Sequence, residues 1–296
     1  MIFKLSELKP AETQYYLQHV VAPRPVCFAS TVDAAGNVNL SPFSYFNLFS
    51  SNPPIVIFSP ARRLRDNTTK HTLQNIQEVP EVVINIVTYE LVQQMSLTSC
   101  EYEKGVDEFV KGGFTKEPAV LVKPPMAAES KIKLECEVLE VKSLGEAGGA
   151  GQLVICNVLY LHLADELLNA EKKLEQQKLD LVARLGGDWY CRTTPESLFK
   201  VEKPNTQLGI GMDALPCSIR NSAVLTGNQL GQLANVHELP VVDPTFEDDH
   251  LKNIIHYFSL NPADMETELH RHAAQLLTSG NVTAAWQVLL ASETIV

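Results

Sequence analysis

The chain has 296 residues, 45% of them hydrophobic, and a formal net charge of −11 from 35 acidic and 24 basic residues. That length and apolar content support a buried core in one large or two modest domains. The acidic balance and the scattered basic residues exclude a phosphate backbone as the main partner, and no run approaches the ~20 apolar residues of a membrane span.

Met1 to Leu17 is mixed in character rather than a charged leader followed by an apolar run, so a cytoplasmic protein is expected. Residues 26–32, 54–59, 81–87, 131–141 and 153–163 are β-branched or alternating runs bounded by Gly, Pro, Asn or charged turns, and each predicts a strand. Asp33-Ala-Ala-Gly-Asn turns the first of these onto Val38–Leu40. Thr69 is positioned to cap a helix over Lys70–Glu78 with Leu73 and Ile76 inside, and Thr88 to cap another through Leu91, Val92 and Met95.

In Lys131-Ile-Lys-Leu-Glu-Cys-Glu-Val, alternation assigns Ile132, Leu134, Cys136 and Val138 to the core and Lys131, Lys133, Glu135 and Glu137 to solvent. Gly145–Gly151 then forms the long turn of an antiparallel hairpin. The six cysteines are widely spaced without a CxxC pair, and their apolar neighbours mark several as small buried hydrophobes. Strands dominate the first two thirds without regular alternation with long helices. No GxGxxG follows a strand, so a barrel is expected rather than a doubly wound dinucleotide fold.

After Gly186-Gly-Asp-Trp-Tyr, a polar connector over 193–216 leads to a helical tail from Ser218, acidic at Asp243–Asp249 and then continuing as two or three short helices, one ending near Asn261-Pro262, one over Ala263–Leu277 and one over Val282–Leu290. The expected division is a domain over 1–200 and a connector with helical extension over 201–296. His270 and His272 stand at i, i+2 and point to different helix faces, so no shared metal is expected there.

The stretch from Ala22 to Pro60 lacks an ionisable catalytic constellation and offers small hydroxyls, prolines and aromatics at strand ends. Such a lining suits a flat, phosphorylated cofactor that carries its own chemistry. Thr68, Thr69, Lys70 and Thr72, preceded by Arg62, Arg63 and Arg65, place cations and hydroxyls at a helix start suited to an anion; a capped helix beside a solvated basic loop is the alternative. Ser41-Pro-Phe-Ser-Tyr-Phe-Asn supplies the amides, hydroxyls and apolar groups that hold a flavin ring, or else a packed strand-to-loop corner. Asp107 and Glu108 are expected to serve a helix terminus.

Arg24-Pro-Val-x-Phe-x-Ser-Thr-Val-Asp, Asn-x-x-Ser-Pro-Phe-Ser-x-Phe-Asn, Ser-Ser-Asn-Pro-Pro, Phe-Ser-Pro and Lys-x-Thr-x-x-Asn-Ile occur in this order. Gly105-Val-Asp-Glu-Phe, Lys123-Pro-Pro, Ala128-Glu-Ser, Leu134-Glu-Cys and Ala183-Arg-Leu-Gly-Gly-Asp-Trp-Tyr follow. Together, over about residues 10 to 195, they closely resemble the flavin reductase-like family with the FMN-binding split β-barrel.

The resemblance implies a mainly β fold with α-helices, a split barrel acting as a homodimer with non-covalent FMN near the subunit interface. Carried over by position, Ser30, Thr31, Lys70 and Thr72 would receive the phosphate and ribityl end. Ser41, Pro42, Phe43, Ser44 and Asn47 would frame the ring, and Ser59 lies at the strand end nearest both. Arg184–Gly187 would close the pocket or come from a second subunit, and Glu129-Ser130 would stand near the pocket mouth.

Family members that act as NAD(P)H:flavin reductases commonly carry Gly-Asp-His where this chain has Gly187-Asp188-Trp189. The resemblance as a whole implies an FMN-binding oxidoreductase with NAD(P)H as donor, while the missing histidine favours a carrier. The alternatives are a flavoredoxin-like carrier reduced by a protein partner, or a flavin- or haem-binding module without turnover.

Overall fold

The computed structural model describes residues 1–204 and 207–295, and the chain divides into two compact units, Met1–Phe199 and Lys200–Val296. The first unit opens with helix α1 (Pro10–Val20), followed by strands β1 (Arg24–Pro25), β2 (Cys27–Val32), β3 (Val38–Phe43), β4 (Phe46–Ser51) and β5 (Pro54–Phe58). Helix α2 (His71–Glu78) leads into β6 (Glu81–Ile86), and the short helices α3 (Val92–Leu97) and α4 (Glu108–Gly112) follow. The small ribbon β7 (Lys116–Glu117) and β8 (Met126–Ala127) precedes the long hairpin of β9 (Ile132–Ser143) and β10 (Gln152–Leu163), and β11 (Val182–Arg184) with β12 (Tyr190–Arg192) close the unit.

Seven strands form one antiparallel sheet in the order β3-β2-β6-β9-β10-β5-β4. Its two edges, β3 and β4, are consecutive in the chain and separated only by Ser44 and Tyr45. A link that short forces the sheet to curl until its edges stand side by side, yet no ladder joins them, which is the split in the barrel. Closure also shows inside, where Phe43 of β3 meets Phe58 of β5 with ring centroids 5.0 Å apart.

Alternation decides what fills the barrel. Cys27, Ala29, Val82, Ile84, Cys136, Val154 and Cys156 form the interior, and Ile76 of α2 joins them. Burial raises the thiols of Cys27 and Cys156 well above their ordinary range and pushes Cys136 up to about 12, so these three behave as small hydrophobes. The opposite face of β2 is covered as well: Phe28 stacks on Phe114 at 5.1 Å and packs with Met95 of α3 and Phe109 of α4. Covering on both faces explains why all six residues of β2 are buried.

Two strand readings need correction. The non-core face of β9 is a solvent face only in part: Glu137 is exposed as expected, but Glu135 is fully buried and Lys133 nearly so. The segment around Val120–Val122 crosses that face, and its amides need an acceptor. Glu135 accepts from Val120 N at 2.8 Å, Leu121 N at 2.7 Å and Val122 N at 3.2 Å, and pairs with His162 Nε2 at 2.7 Å. The strand β4 lies where a loop corner was expected, and it shows little alternation because Asn47, Leu48 and Phe49 are all exposed on an edge strand.

In the second unit, helices α5 (Cys217–Arg220), α6 (Gly227–Ala234), α7 (Asp249–Phe258), α8 (Pro262–Thr278) and α9 (Val282–Ile295) surround Leu233, Leu269, Leu277, Trp286 and Leu289. The three helices that follow the acidic run, α7, α8 and α9, match the two or three expected there, and α5 and α6 precede it. Gly227 and Gly231 disguise α6 by their poor helix propensity, while Thr226 and Gln229 start it with a reciprocal capping box. Gly280, at φ +80°, turns α8 into α9 with its N–H on Leu277 O at 3.0 Å. His270 bonds Ser222 at 2.7 Å and His272 bonds Asp248 at 2.9 Å, and no metal-competent cluster occurs among the described residues. No helix among them is long and apolar enough to cross a membrane.

Candidate functional site

A cavity of about 390 Å³ opens at the β3–β4 corner, within the usual range for small-molecule sites. Six chain segments converge on it: α1 through Gln14 and Gln18, β1 through Arg24, the corner from Pro42 to Tyr45, the run from Ser59 to Lys70, α3 through Met95 and Ser96, and the β11–β12 ribbon through Arg184 and Tyr190. The split in the barrel creates this opening, since amides at the β3–β4 corner are not consumed by a ladder.

Arg24 fixes the rim. Its guanidinium donates to the carbonyls of Gln18 at 2.6 Å, Val21 at 2.7 Å and Leu185 at 2.9 Å, so one residue ties the end of α1 to the β11–β12 turn. Its Nε is 3.4 Å from Ser44 Oγ and its charge lies 5.9 Å from the centre of the Tyr45 ring. Gln18 Nε2 donates to Tyr45 Oη at 3.1 Å and completes the corner.

Lys70 supplies the second cation. Its Nζ is 3.5 Å from Ser41 Oγ and 5.1 Å from the centre of the Phe43 ring. Burial, reinforced by the charge of Arg63 and opposed by that of Glu108, lowers its pKa to about 8. Arg184 is the third cation; it stacks 4.6 Å over Tyr190 and donates to the Tyr190 hydroxyl. The lining contains no Asp or Glu. In a chain of net charge −11, a cavity with three cations and no carboxylate is built for an anion.

The predicted residues divide between this cavity and its surroundings. Pro42, Phe43, Ser44, Ser59 and Lys70 line it, whereas Ser41 lines a smaller chamber of about 80 Å³ that shares Lys70 and Ser99 with it. Ser59 Oγ accepts the amide of Gln152 at 3.0 Å and so anchors the β9–β10 turn. Ser30, Thr31 and Thr72 are fully buried in the barrel wall, away from the lining of either chamber. Thr72 Oγ1 donates to Asn39 Oδ1 at 2.7 Å and Thr31 Oγ1 accepts from Asn75 Nδ2 at 3.2 Å, while Ser30 Oγ has no partner among the described residues. Asn47 is exposed on β4, with its Oδ1 accepting Leu48 N at 2.8 Å.

Helix α2 begins one residue later than expected, with Lys70 rather than Thr69 at its N-cap and no side-chain cap. His71 faces the smaller chamber, and burial with the charges of Arg63 and Lys104 holds its pKa below the usual range. Glu108 fastens β3 by accepting Asn39 Nδ2 at 2.7 Å and Leu40 N at 3.0 Å; burial raises its carboxyl above the ordinary range. Asp107 caps α4 through Phe109 N at 3.0 Å. Glu129 and Ser130 stand away from the cavity lining: Glu129 accepts Thr115 N at 2.8 Å, and Ser130 Oγ donates to a backbone carbonyl.

Sequence reasoning missed Gln14, Gln18, Met95, Ser96 and Ser99, because a polar helix face and a helix turn carry no spacing signal for a site. Arg24 was legible only as the first residue of a family motif, with no role assigned to it.

The profile of the flavin reductase like domain matches residues 20–178, more than half of the chain and all within the first unit. An uncharacterized protein of Halalkalibacterium halodurans is 34% identical over 185 residues, covering 62% of this chain and 88% of its own length. An uncharacterized protein of Aquifex aeolicus is 31% identical over 182 residues, covering 62% and 90%. Among solved structures, nitrilotriacetate monooxygenase component B from Bacillus cereus aligns with a TM-score of 0.63 at 26% identity, covering 68% of this chain and 98% of that one.

Proposed function

The chain belongs to the flavin reductase-like domain family, and from that premise we propose that it is an FMN-binding oxidoreductase holding the cofactor in the cavity at the β3–β4 corner. The observation that carries this reading is the carboxylate-free wall with Arg24, Lys70 and Arg184. The lining fits the group by its chemistry: an ammonium without a carboxylate partner for a phosphate, small hydroxyls at Ser44, Ser96 and Ser99, and Phe43, Tyr45 and Met95 against a flat ring.

When bound, FMN supplies one- and two-electron transfer, and the protein supplies binding, orientation and electrostatics. Lys70 neutralises the anionic end, and Arg24 fixes the rim so that α1 and the β11–β12 turn keep the cavity closed on two sides. Phe43 and Met95 exclude water from the ring. No side chain of the cavity is required as a nucleophile.

NAD(P)H is the proposed electron donor. A second reading, a carrier reduced by a protein partner, is favoured by one feature: Trp189, in the position of the family's histidine, is 74% exposed on the β11–β12 turn. The reading includes a homodimer, supported by the exposed apolar Leu48 and Phe49 on edge strand β4 and by Val20 and Val21 at the end of α1.

The test is FMN reconstitution followed by anaerobic titration with NADH and then NADPH. Bleaching of bound flavin by either nucleotide establishes the reductase, and reduction by dithionite alone assigns the carrier. Protein that takes up no FMN refutes both.

A further inference from the structure

Beside the main cavity lies a second, of about 380 Å³, between α3 and the β11–β12 ribbon. Ser96, Arg184 and Tyr190 line both, so two ligands would be separated by little more than one side chain. The walls of the second cavity include two guanidinium–phenol stacks: Arg192 lies 3.8 Å from the centre of the Tyr89 ring, and Arg184 lies 4.6 Å from that of Tyr190. Val92 and Val182 add apolar surface, and Gln93 and Ser96 add hydrogen-bonding groups.

Stacking on a phenol fixes the plane of a guanidinium and leaves its N–H edge for an anion. Arg192 is further held by Asp180, with Nε on one carboxylate oxygen at 2.5 Å and Nη2 on the other at 2.8 Å. Its Nη1 carries no hydrogen bond among the described residues. Asp188 is the one carboxylate of the lining; its side chain is fully exposed and 3.8 Å from Arg184 Nη2, a contact that an anion can replace without burying a charge.

We propose that this second cavity binds a planar anion, an aromatic or heteroaromatic ring bearing a carboxylate or a phosphate. Apolar surface and flat stacked walls receive the ring, and Nη1 of Arg192 donates to the anion; Arg184, whose Nη1 donates to the Tyr190 hydroxyl and whose Nη2 donates to Gly187 O, adds its charge nearby. That the anion lies next to a flavin rests on the proposed function; that it binds does not.

The experiment is calorimetric titration of the full-length, FMN-loaded protein with benzoate, with AMP and with neutral benzamide. Saturable binding of benzoate or AMP is expected, with benzamide at least about tenfold weaker, as for loss of a charge-assisted hydrogen bond. Arg192→Leu is expected to lower the anion affinity by about tenfold or more while leaving FMN affinity unchanged. Asp180→Asn cuts the same ion pair but keeps the guanidinium, and retains anion binding. Saturation by benzoate alone assigns a carboxylate, and by AMP alone a phosphate.

The proposal is overturned if neither anion binds, if benzamide binds equally well, if FMN displaces the anion, or if Asp180→Asn loses binding as fully as Arg192→Leu. If no FMN binds yet benzoate or AMP binding still depends on Arg192, the flavin reading fails and this site stands.

Discussion

The ammonium of Lys70 stands 5.1 Å from the centre of the Phe43 ring, on a cavity wall without a carboxylate. A half-buried cation held by a ring face and a single hydroxyl, with Glu108 acting on it only through space, is poorly compensated, so it costs the empty protein stability and attracts an anion. Lys70→Met keeps the volume and removes the charge. It is expected to weaken FMN binding by about 10- to 100-fold, as for loss of a charge-assisted contact, and to raise the urea midpoint of the ligand-free protein. Flavin fluorescence quenching and urea unfolding read the two effects, and a fall in both would show that Lys70 is structural.

The pH dependence of Lys70 has opposite signs for binding and for stability. With its pKa lowered to about 8 from 10.5, the charge is present below about pH 8 and lost above it, so FMN affinity falls as pH rises through that region. The bound phosphate itself favours the charged form, which moves the midpoint of the complex upward. Between about pH 8 and 10.5 the unfolded chain binds more protons than the folded one, so the ligand-free protein gains stability as pH rises across that window. Lys70→Met flattens both profiles, and a wild-type affinity unchanged from pH 7 to 9.5 would refute the assignment.

The strands with clean alternation or continuous apolar runs were legible because burial selects side chains directly, as in β2, β6 and β10. Burial of a charge by a crossing segment was not legible. Glu135 looks like a solvent residue because its partners, the amides of Val120–Val122, leave no trace in side-chain chemistry. The site was legible in the same partial way. Pro42, Phe43 and Lys70 form a local pattern around one corner, whereas Gln18 and Arg184 reach the cavity only through the tertiary positions of α1 and β11.

Glu135 yields a stability prediction. Burial alone would raise its carboxyl, but the amides of Val120 and Leu121, His162, and the amide of Val122 outweigh it and hold the group below its ordinary value. Its contribution is therefore present above the unfolded pKa of about 4.3 and is lost as pH falls through the folded value. Glu135→Gln leaves one oxygen to serve amides that now use two, and is expected to cost about 2 kcal/mol or more. Chemical denaturation at pH 7 measures the loss, and the difference between variant and wild type should shrink as pH falls below 4. A difference that stays constant with pH would assign the effect to packing instead.

Gly186 and His19 provide a test of the rim itself. A Cβ built on Gly186 would lie 2.1 Å from His19 Cδ2 and 2.3 Å from Cγ, and the ring is held in place by the hydrogen bond between Nδ1 and Tyr15 O at 2.6 Å. Gly186→Ala must therefore push α1 away from the β11–β12 turn or move the imidazole, at an overpacking cost of about 1–3 kcal/mol. Because Gln14 and Gln18 of the same helix line the cavity and Arg24 joins Gln18 to Leu185, the displacement is expected to weaken FMN binding as well. His19→Ala removes the obstructing ring, so the double variant should recover most of the lost stability and affinity. A double-mutant cycle with coupling near zero would show that the loss does not arise from this contact.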